Sequence, residues 1–362
     1  VIPADVFAET LLGFLEPVRP FLDDPSVTEI MINGPDQIYI ERSGRIERTD
    51  ARFEGREALL AALRNAAQFV GKSVDEHRPI LEGRLPDGSR IEAILPPAAP
   101  DGPHVAIRRF SKHTLTIDRL VALGALTQEA ASILEAFVVA KLNVLVAGGT
   151  GSGKTSLLAA LSAFVPESER VVVIEDAREL QIPREHVVQL EARPPDPRGR
   201  GVVSVRDLFR ATLRMRPDRV IIGEIRGGEA LDLIQAMTSG HGGCLGTLHA
   251  TYPRDTLGRL ETMALMSDLA LPLSALRMQI ASAIDVVVQV SRRADGARLV
   301  THVTAVEDFD LARGEYRLVD LFARRGAELA PTGARPRLYD RLESQGFALP
   351  AVDEGKGSWR SS

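Results

Sequence analysis

Residues 144–155 read Val-Leu-Val-Ala-Gly-Gly-Thr-Gly-Ser-Gly-Lys-Thr. An apolar run enters a glycine loop, and the loop opens onto a helix-forming stretch. Gly148 to Thr155 fits G-x-x-x-x-G-K-T, the phosphate-binding loop pattern. Gly148, Gly151 and Gly153 let backbone N–H groups crowd around phosphate oxygens with no Cβ in the way. A helix expected over 153–164 aims the positive end of its dipole at the same anion. Lys154 is expected to reach the β- and γ-phosphates, and the Thr155 hydroxyl to ligate Mg²⁺. The expected ligands are therefore ATP and Mg²⁺, and the binding set is Gly148, Gly149, Thr150, Gly151, Ser152, Gly153, Lys154, Thr155 and Ser156. A chance glycine turn before Lys-Thr would need neither a strand before it nor a helix after it. Both are present here.

A chain of 362 residues exceeds the usual single domain, so two are expected. The net charge of −5 and pI of about 5.9 argue against a broad nucleic-acid-binding face. One cysteine, Cys244, excludes an intramolecular disulfide framework and suits a reducing compartment. The richest apolar stretch, Ile133 to Ala147, contains Glu135 and Lys141 and does not read as a membrane span. The chain starts at Val1 and shows no signal peptide; the missing initiating Met suggests an upstream segment that was trimmed or is not included.

The periodicities divide the chain. Residues 1–22 read as a helical segment ended by Pro17 and Pro20. Residues 23–110 read as a small α/β domain: strands at 28–33 and 37–41, a helix at 56–70, a hairpin over 83–95 and a strand at 105–110. Residues 111–118 read as a linker. From 119 to 310 a second domain is expected. A helix over 127–141 capped by Thr127 leads into strands at 143–147, 170–175, 219–225 and 243–249, alternating with helices at 153–164, 204–215 and 228–238. Such alternation implies a parallel sheet with ligands at the carboxyl ends of its strands. Residues 311–353 read as a C-terminal extension and 354–362 as a disordered tail.

Three strands besides the one feeding the glycine loop end in polar groups. Glu175 and Asp176 follow Val-Val-Val-Ile, where Glu175 can act as a general base toward water; the plainer alternative is a cap or an ion pair to Arg178. Glu224 follows Gly223 at the end of an apolar strand, where Asp is more usual, and its extra methylene suits contact with Mg²⁺ through a water. His249 ends a third strand, where it can sense a γ-phosphate. His241 lies eight residues earlier in a glycine-rich loop, and the two make a poor metal site. Arginines that can neutralise phosphate charge are plentiful: Arg84, Arg90, Arg108, Arg109, Arg214 and Arg216.

With these pieces in order, the chain resembles the type II/type IV secretion ATPase superfamily. The carrying residues are the glycine loop, Ile-Glu-Asp-Ala-Arg-Glu-Leu (174–180), Leu-Arg-Met-Arg-Pro-Asp-Arg (213–219) with Gly-Glu-Ile-Arg-Gly (223–227), and Gly-His…Thr-Leu-His-Ala (240–250). Within it the chain looks most like the Flp/Tad pilus ATPases of the CpaF type, through 259–263, 279–285, 301–304 and 331–337. The resemblance implies a RecA-like P-loop NTPase domain with a parallel-dominated sheet after a smaller PAS-like α/β domain. It implies a homo-hexameric ATPase in the cytoplasm, peripheral at the inner membrane through pilus or secretion platform proteins. No direct nucleic-acid partner is expected. It implies catalytic roles for Glu175, Glu224 and His249, and prefers Arg90 and Arg108 as arginines of the first domain that touch nucleotide. A type IV secretion or conjugation ATPase, moving protein or DNA, is the alternative with the same chemistry. A RecA-like nucleic-acid translocase fits less well, because aromatic residues for base stacking make up only 5% of the chain. No Leu-Ser-Gly-Gly-Gln motif supports a transporter ATPase.

Overall fold

A computed structural model describes residues 4–42, 44–110, 115–195, 199–267, 269, 271–347 and 349. The chain divides into two compact units, Val1–His113 and Thr114–Ser362. In the first, α1 (Ala4–Phe14), a 3₁₀ turn (Glu16–Val18) and α2 (Arg19–Asp23) precede strands β1 (Val27–Asn33), β2 (Ile38–Arg42) and β3 (Arg45–Arg48). Helix α3 (Arg56–Phe69) then leads to β4 (Ile80–Arg84), β5 (Arg90–Ile94) and β6 (His104–Arg108). The sheet is antiparallel throughout, in the order β3-β2-β1-β6-β5-β4. Period-two alternation puts Ile30, Ile32, Ile38, Ile40, Ile91, Val105 and Ile107 in one core with Leu59, Leu63 and Ala66 of α3. Leu11, Leu15, Val18 and Leu22 join that core. The segment before residue 23 is thus built into the first unit rather than standing apart from it.

The second unit begins with α4 (Ile117–Ala122), α5 (Gln128–Val139), β7 (Val144–Gly148), α6 (Lys154–Ser162), β8 (Val171–Glu175) and β9 (Val187–Glu191). It continues through α7 (Val205–Thr212), β10 (Arg219–Ile222), α8 (Glu229–Thr238), β11 (Leu245–Leu248), α9 (Pro253–Ala264) and α10 (Leu273–Ala283). It closes with β12 (Val286–Arg292), β13 (Arg298–Asp310), β14 (Glu315–Arg325), β15 (Glu328–Pro331) and α11 (Arg337–Ser344). Residues 111–114 of the expected linker and the expected tail, 354–362, lie outside the described residues. Thr116 caps α4 by accepting from Arg119 N at 3.2 Å, so the last two linker positions are helical.

The nine strands run β15-β14-β13-β12-β7-β11-β10-β8-β9. From β12 to β9 every pairing is parallel, as alternation requires. From β12 to β15 every pairing is antiparallel. The fold is therefore α/β with a mixed second sheet. The antiparallel half follows from short returns at Gly296, Gly314 and Gly326, which only antiparallel neighbours allow. A boundary at 310/311 does not exist: β13 and β14 form one hairpin across it, and Leu338, Tyr339 and Leu342 of α11 enter the main core.

Alternate residues of the central strands face opposite layers. Val144, Val146, Val171, Val173 and Ile221 pack with Ile133, Leu134 and Phe137 of α5 and Leu157, Leu158 and Leu161 of α6. Leu145, Ala147, Val172, Ile174 and Ile222 pack with Phe209 of α7, Ile234 of α8, Leu257 and Leu260 of α9 and Ile280 of α10. Strands covered on both faces read as unbroken apolar runs. Among the described residues no helix is long and apolar enough to cross a membrane.

Candidate functional site

β7 and β8 are consecutive in the chain, but β11 and β10 lie between them. The carboxyl ends of all four strands therefore meet along one edge. β7 ends at Gly148, paired with Val290 of β12. A Cβ there would sit 2.5 Å from both the Val290 carbonyl oxygen and Ser152 Oγ. Gly151 and Gly153 are left-handed, at φ +67° and +93°, which favours glycine. Gly149 and Thr150 are exposed, Ser152 is buried, and Thr155 and Ser156 lie in the first turn of α6. Ser152 Oγ donates to the Gly149 carbonyl at 2.9 Å. Lys154 is 7% exposed. Its Nζ donates to the same carbonyl at 2.9 Å and lies 3.3 Å from His249 Nε2.

The Glu224 segment leaves β10 one residue after Ile222. Gly223 N donates to Ile174 O, and Ile225 N donates to Thr247 O, both at 2.8 Å. The expected strand over 219–225 thus ends early, and Glu224 sits on a bridge from β8 to β11. Its Oε1 is 3.1 Å from His249 Nε2, and its Oε2 accepts from Arg226 Nη2 at 2.7 Å. Arg226 also pairs with Asp176 at 3.1 Å. Lys154, His249 and Glu224 therefore form a continuous polar chain. His249 Nε2 can accept from Lys154 or donate to Glu224, one at a time.

Burial raises the Glu224 carboxyl, but the Arg226 hydrogen bond and charge, with His249 and Lys154, outweigh it and hold the group below its usual range. His249 is lowered, first by desolvation and then by the Lys154 charge, against the pull of Glu224. Both causes favour the neutral imidazole.

Glu175 differs. It is 4% exposed, and its Oε1 accepts from the backbone N–H groups of Glu179 and Leu180, both at 2.9 Å. A Cβ on Gly223 would lie 2.8 Å from Glu175 Cγ, so the glycine makes room for this carboxyl. Burial pushes its pKa up despite the two N–H donors. Folded protein then keeps a proton that the unfolded chain releases near 4.5. Wild-type stability falls as pH rises from that value to the folded pKa and stays lowered above it. Gln keeps the acceptor oxygen without the charge. The advantage of Glu175→Gln in thermal midpoint is therefore expected to grow with pH from about 4 upward and then level off. A midpoint difference independent of pH would show that the carboxylate carries no desolvation penalty.

The two histidines of the glycine-rich motif separate. His249 follows the end of β11, whereas His241 precedes its start, beside Lys141 and Arg219 at the opposite edge. Cys244 is buried there, its thiol pushed up to about 12 by desolvation, and is not a nucleophile. Arg90 and Arg108 belong to the first unit, directly opposite each other on β5 and β6, and Arg84 faces Arg90 on β4. The three make one row across the sheet, and Arg90 Nη2 is 3.8 Å from Glu82.

The loop fits a polyphosphate: an open backbone at Gly149, two left-handed glycines and a lysine held at the loop mouth. For Mg²⁺ the fit is partial. Among the described residues no group of three His, Cys, Asp or Glu can hold a metal. Thr155 and Glu224 are the residues beside the loop that would hold it, Glu224 through water, with nucleotide and solvent as the other ligands. Arg226, within the 223–227 motif, gains its place only through the fold, which brings it to Glu224 and Asp176. Arg298 Nε donates to Gly151 O at 2.8 Å across 147 residues, and no local pattern signals that contact.

The family model described as Type II/IV secretion system protein matches residues 14–313. The chain belongs to this family. Among relatives of this family member, a putative conjugal transfer protein of Mycobacterium tuberculosis is 34% identical over 342 residues, 93% of this chain and 94% of that one. The type IV secretion system protein VirB11 of Brucella suis is 34% identical over 305 residues, 76% of this chain and 84% of that one. The solved Legionella pneumophila ATPase DotB covers 83% of this chain and 82% of its own, with a TM-score of 0.58 at 21% identity. That likeness is one of fold.

Proposed function

We propose that this family member is a Mg²⁺-dependent ATPase that drives a conjugation or type IV secretion system. The observation that carries the chemistry is the continuous Lys154–His249–Glu224 chain beside an open phosphate loop. Names of conjugal transfer and type IV secretion among the relatives support this reading over Flp/Tad pilus assembly. The proposal keeps a RecA-like second domain, a PAS-like first domain, a homo-hexamer and a cytoplasmic position at the inner membrane through platform proteins.

In this reading Lys154 turns from the Gly149 carbonyl to phosphate oxygens. Released from Lys154, His249 donates to Glu224 or to a phosphate oxygen. Mg²⁺, when bound, neutralises phosphate charge; Thr155 and Glu224 would hold it. Arg90 and Arg108 are proposed to add positive charge to the nucleotide. Purified full chain is expected to release phosphate from Mg-ATP, and Glu224→Gln to lower kcat about 100-fold. Wild-type turnover in Glu224→Gln would remove Glu224 from the mechanism. Wild-type turnover in Glu175→Gln would leave Glu175 only the anchor of the 176–180 loop. Deletion of the gene separates the systems: lost conjugative or protein transfer supports this reading, and lost pili alone restores the pilus one.

A further inference from the structure

β12 and β13 turn back on each other so that Arg292 and Arg298 stand directly opposite. Both side chains reach the glycine loop. Arg298 Nε donates to the Gly151 carbonyl at 2.8 Å. Arg298 Cδ comes within 3.3 Å of where a Gly153 Cβ would be, and Arg292 Nη1 within 3.3 Å of a Gly151 Cβ. Two cations facing each other across a ladder repel, and the two stems diverge over neighbouring glycines of the loop.

We infer that Arg298 is a positioning residue for the phosphate loop. The inference deepens the proposed ATPase reading and rests on it. In a trans peptide the C=O of Gly151 and the N–H of Ser152 point in opposite directions. Drawing the carbonyl toward the β12–β13 hairpin turns the Ser152 N–H the other way. The Gly149 carbonyl is fixed separately, by Ser152 Oγ and Lys154 Nζ. Arg298 thus fixes the Gly151–Ser152 peptide, which lies between the two left-handed glycines. Gly153 is glycine for two reasons: its positive φ, and the passage of the Arg298 stem over it. Preorganised in this way, the loop loses less freedom when an anion binds.

The test uses the full chain, with N-methylanthraniloyl-ADP plus Mg²⁺ as the binding probe. Arg298→Ala is expected to weaken probe binding and raise the KM for ATP about tenfold, the loss of one charge-assisted hydrogen bond. The kcat is expected to stay within about twofold, because the group does not act on the transition state. Arg298→Lys, which can still donate to the carbonyl, is expected to recover part of the affinity. Without nucleotide, amides of the 149–153 loop are expected to exchange hydrogen faster in Arg298→Ala, while those of β7 and β11 are unchanged. Arg313→Ala, on the exposed β13–β14 turn, serves as the control for charge alone. Probe affinity and loop exchange equal to wild type in a folded Arg298→Ala protein, or in Arg298→Met should the alanine variant not fold, would overturn the inference, as would an Arg298→Lys protein that binds the probe no better than the variant without a donor. A wild-type chain that binds no nucleotide would overturn the ATPase reading, and this inference with it.

Discussion

Lys154→Ala is expected to reduce kcat for ATP at least about 100-fold while leaving the chain folded. Lys154 is nearly buried, and a buried ammonium needs acceptors; the Gly149 carbonyl and His249 Nε2 stand at 2.9 and 3.3 Å. When the lysine is removed, neither is stranded. Ser152 Oγ still donates to Gly149 O, and His249 still faces Glu224 at 3.1 Å. The thermal midpoint should therefore remain close to wild type while activity disappears. A second readout follows from the electrostatics. Desolvation is the first cause of the low His249 pKa and the Lys154 charge is the second, so the variant should titrate His249 at higher pH. Nuclear magnetic resonance of the imidazole reads this directly. An unchanged His249 titration would mean that the two groups do not sense each other in solution.

Arg219→Ala is expected to cost about 3–5 kcal/mol of stability. Arg219 opens β10 and is 1% exposed. It pairs with Glu169, and its Nη1 donates to Val138 O at 2.6 Å and its Nη2 to Val139 O at 3.5 Å. Those carbonyls lie in the last turn of α5, where helical N–H donors run out; Val138 O also accepts from Lys141 N at 3.1 Å. The guanidinium thus caps a helix, neutralises a mostly buried acid and fills the space beside Gly243. A Cβ at Gly243 would be 2.6 Å from its Nη1. Alanine leaves a cavity, takes one donor from each of the two carbonyls, and leaves Glu169 with Lys141 at 3.2 Å as its remaining ion pair. Arg219→Met should lose less, because it restores volume. Denaturant-dependent hydrogen exchange of β8 and β10 amides would report the loss. Equal stability of the Ala and Met variants would show that charge, rather than packing, carries the effect.

The phosphate loop was legible because its chemistry is local. Spacing of glycines, a lysine and a hydroxyl within eight residues dictates backbone shape and donor direction together. Thr127 as a cap was legible for the same reason, and its Oγ1 accepts from Ala130 N at 3.3 Å. Glu175 was legible as a strand-end acid, but its role was not. Its neighbours on the chain do not reveal that Gly223 opens space for it or that burial raises its pKa. His241 and His249 show the opposite relation of sequence to space. They are near in sequence, yet the extended strand between them carries them to opposite edges of the sheet.

What the sequence determined by itself is the set of short-range instructions: the strand–loop–helix at 144–162, the alternating apolar runs of the central sheet, and which strand ends carry acid or imidazole. What only the tertiary structure decided is the order of those strands and everything that depends on it. Inserting β11 and β10 between β7 and β8 brings Lys154, His249 and Glu224 within hydrogen-bond reach. Folding β13 back along β12 delivers Arg298 to Gly151. The physical reason is range. Backbone conformation is set by neighbours a few residues away, whereas strand order is set by burying both faces of a sheet at once. That condition involves the whole second unit and no single stretch of it.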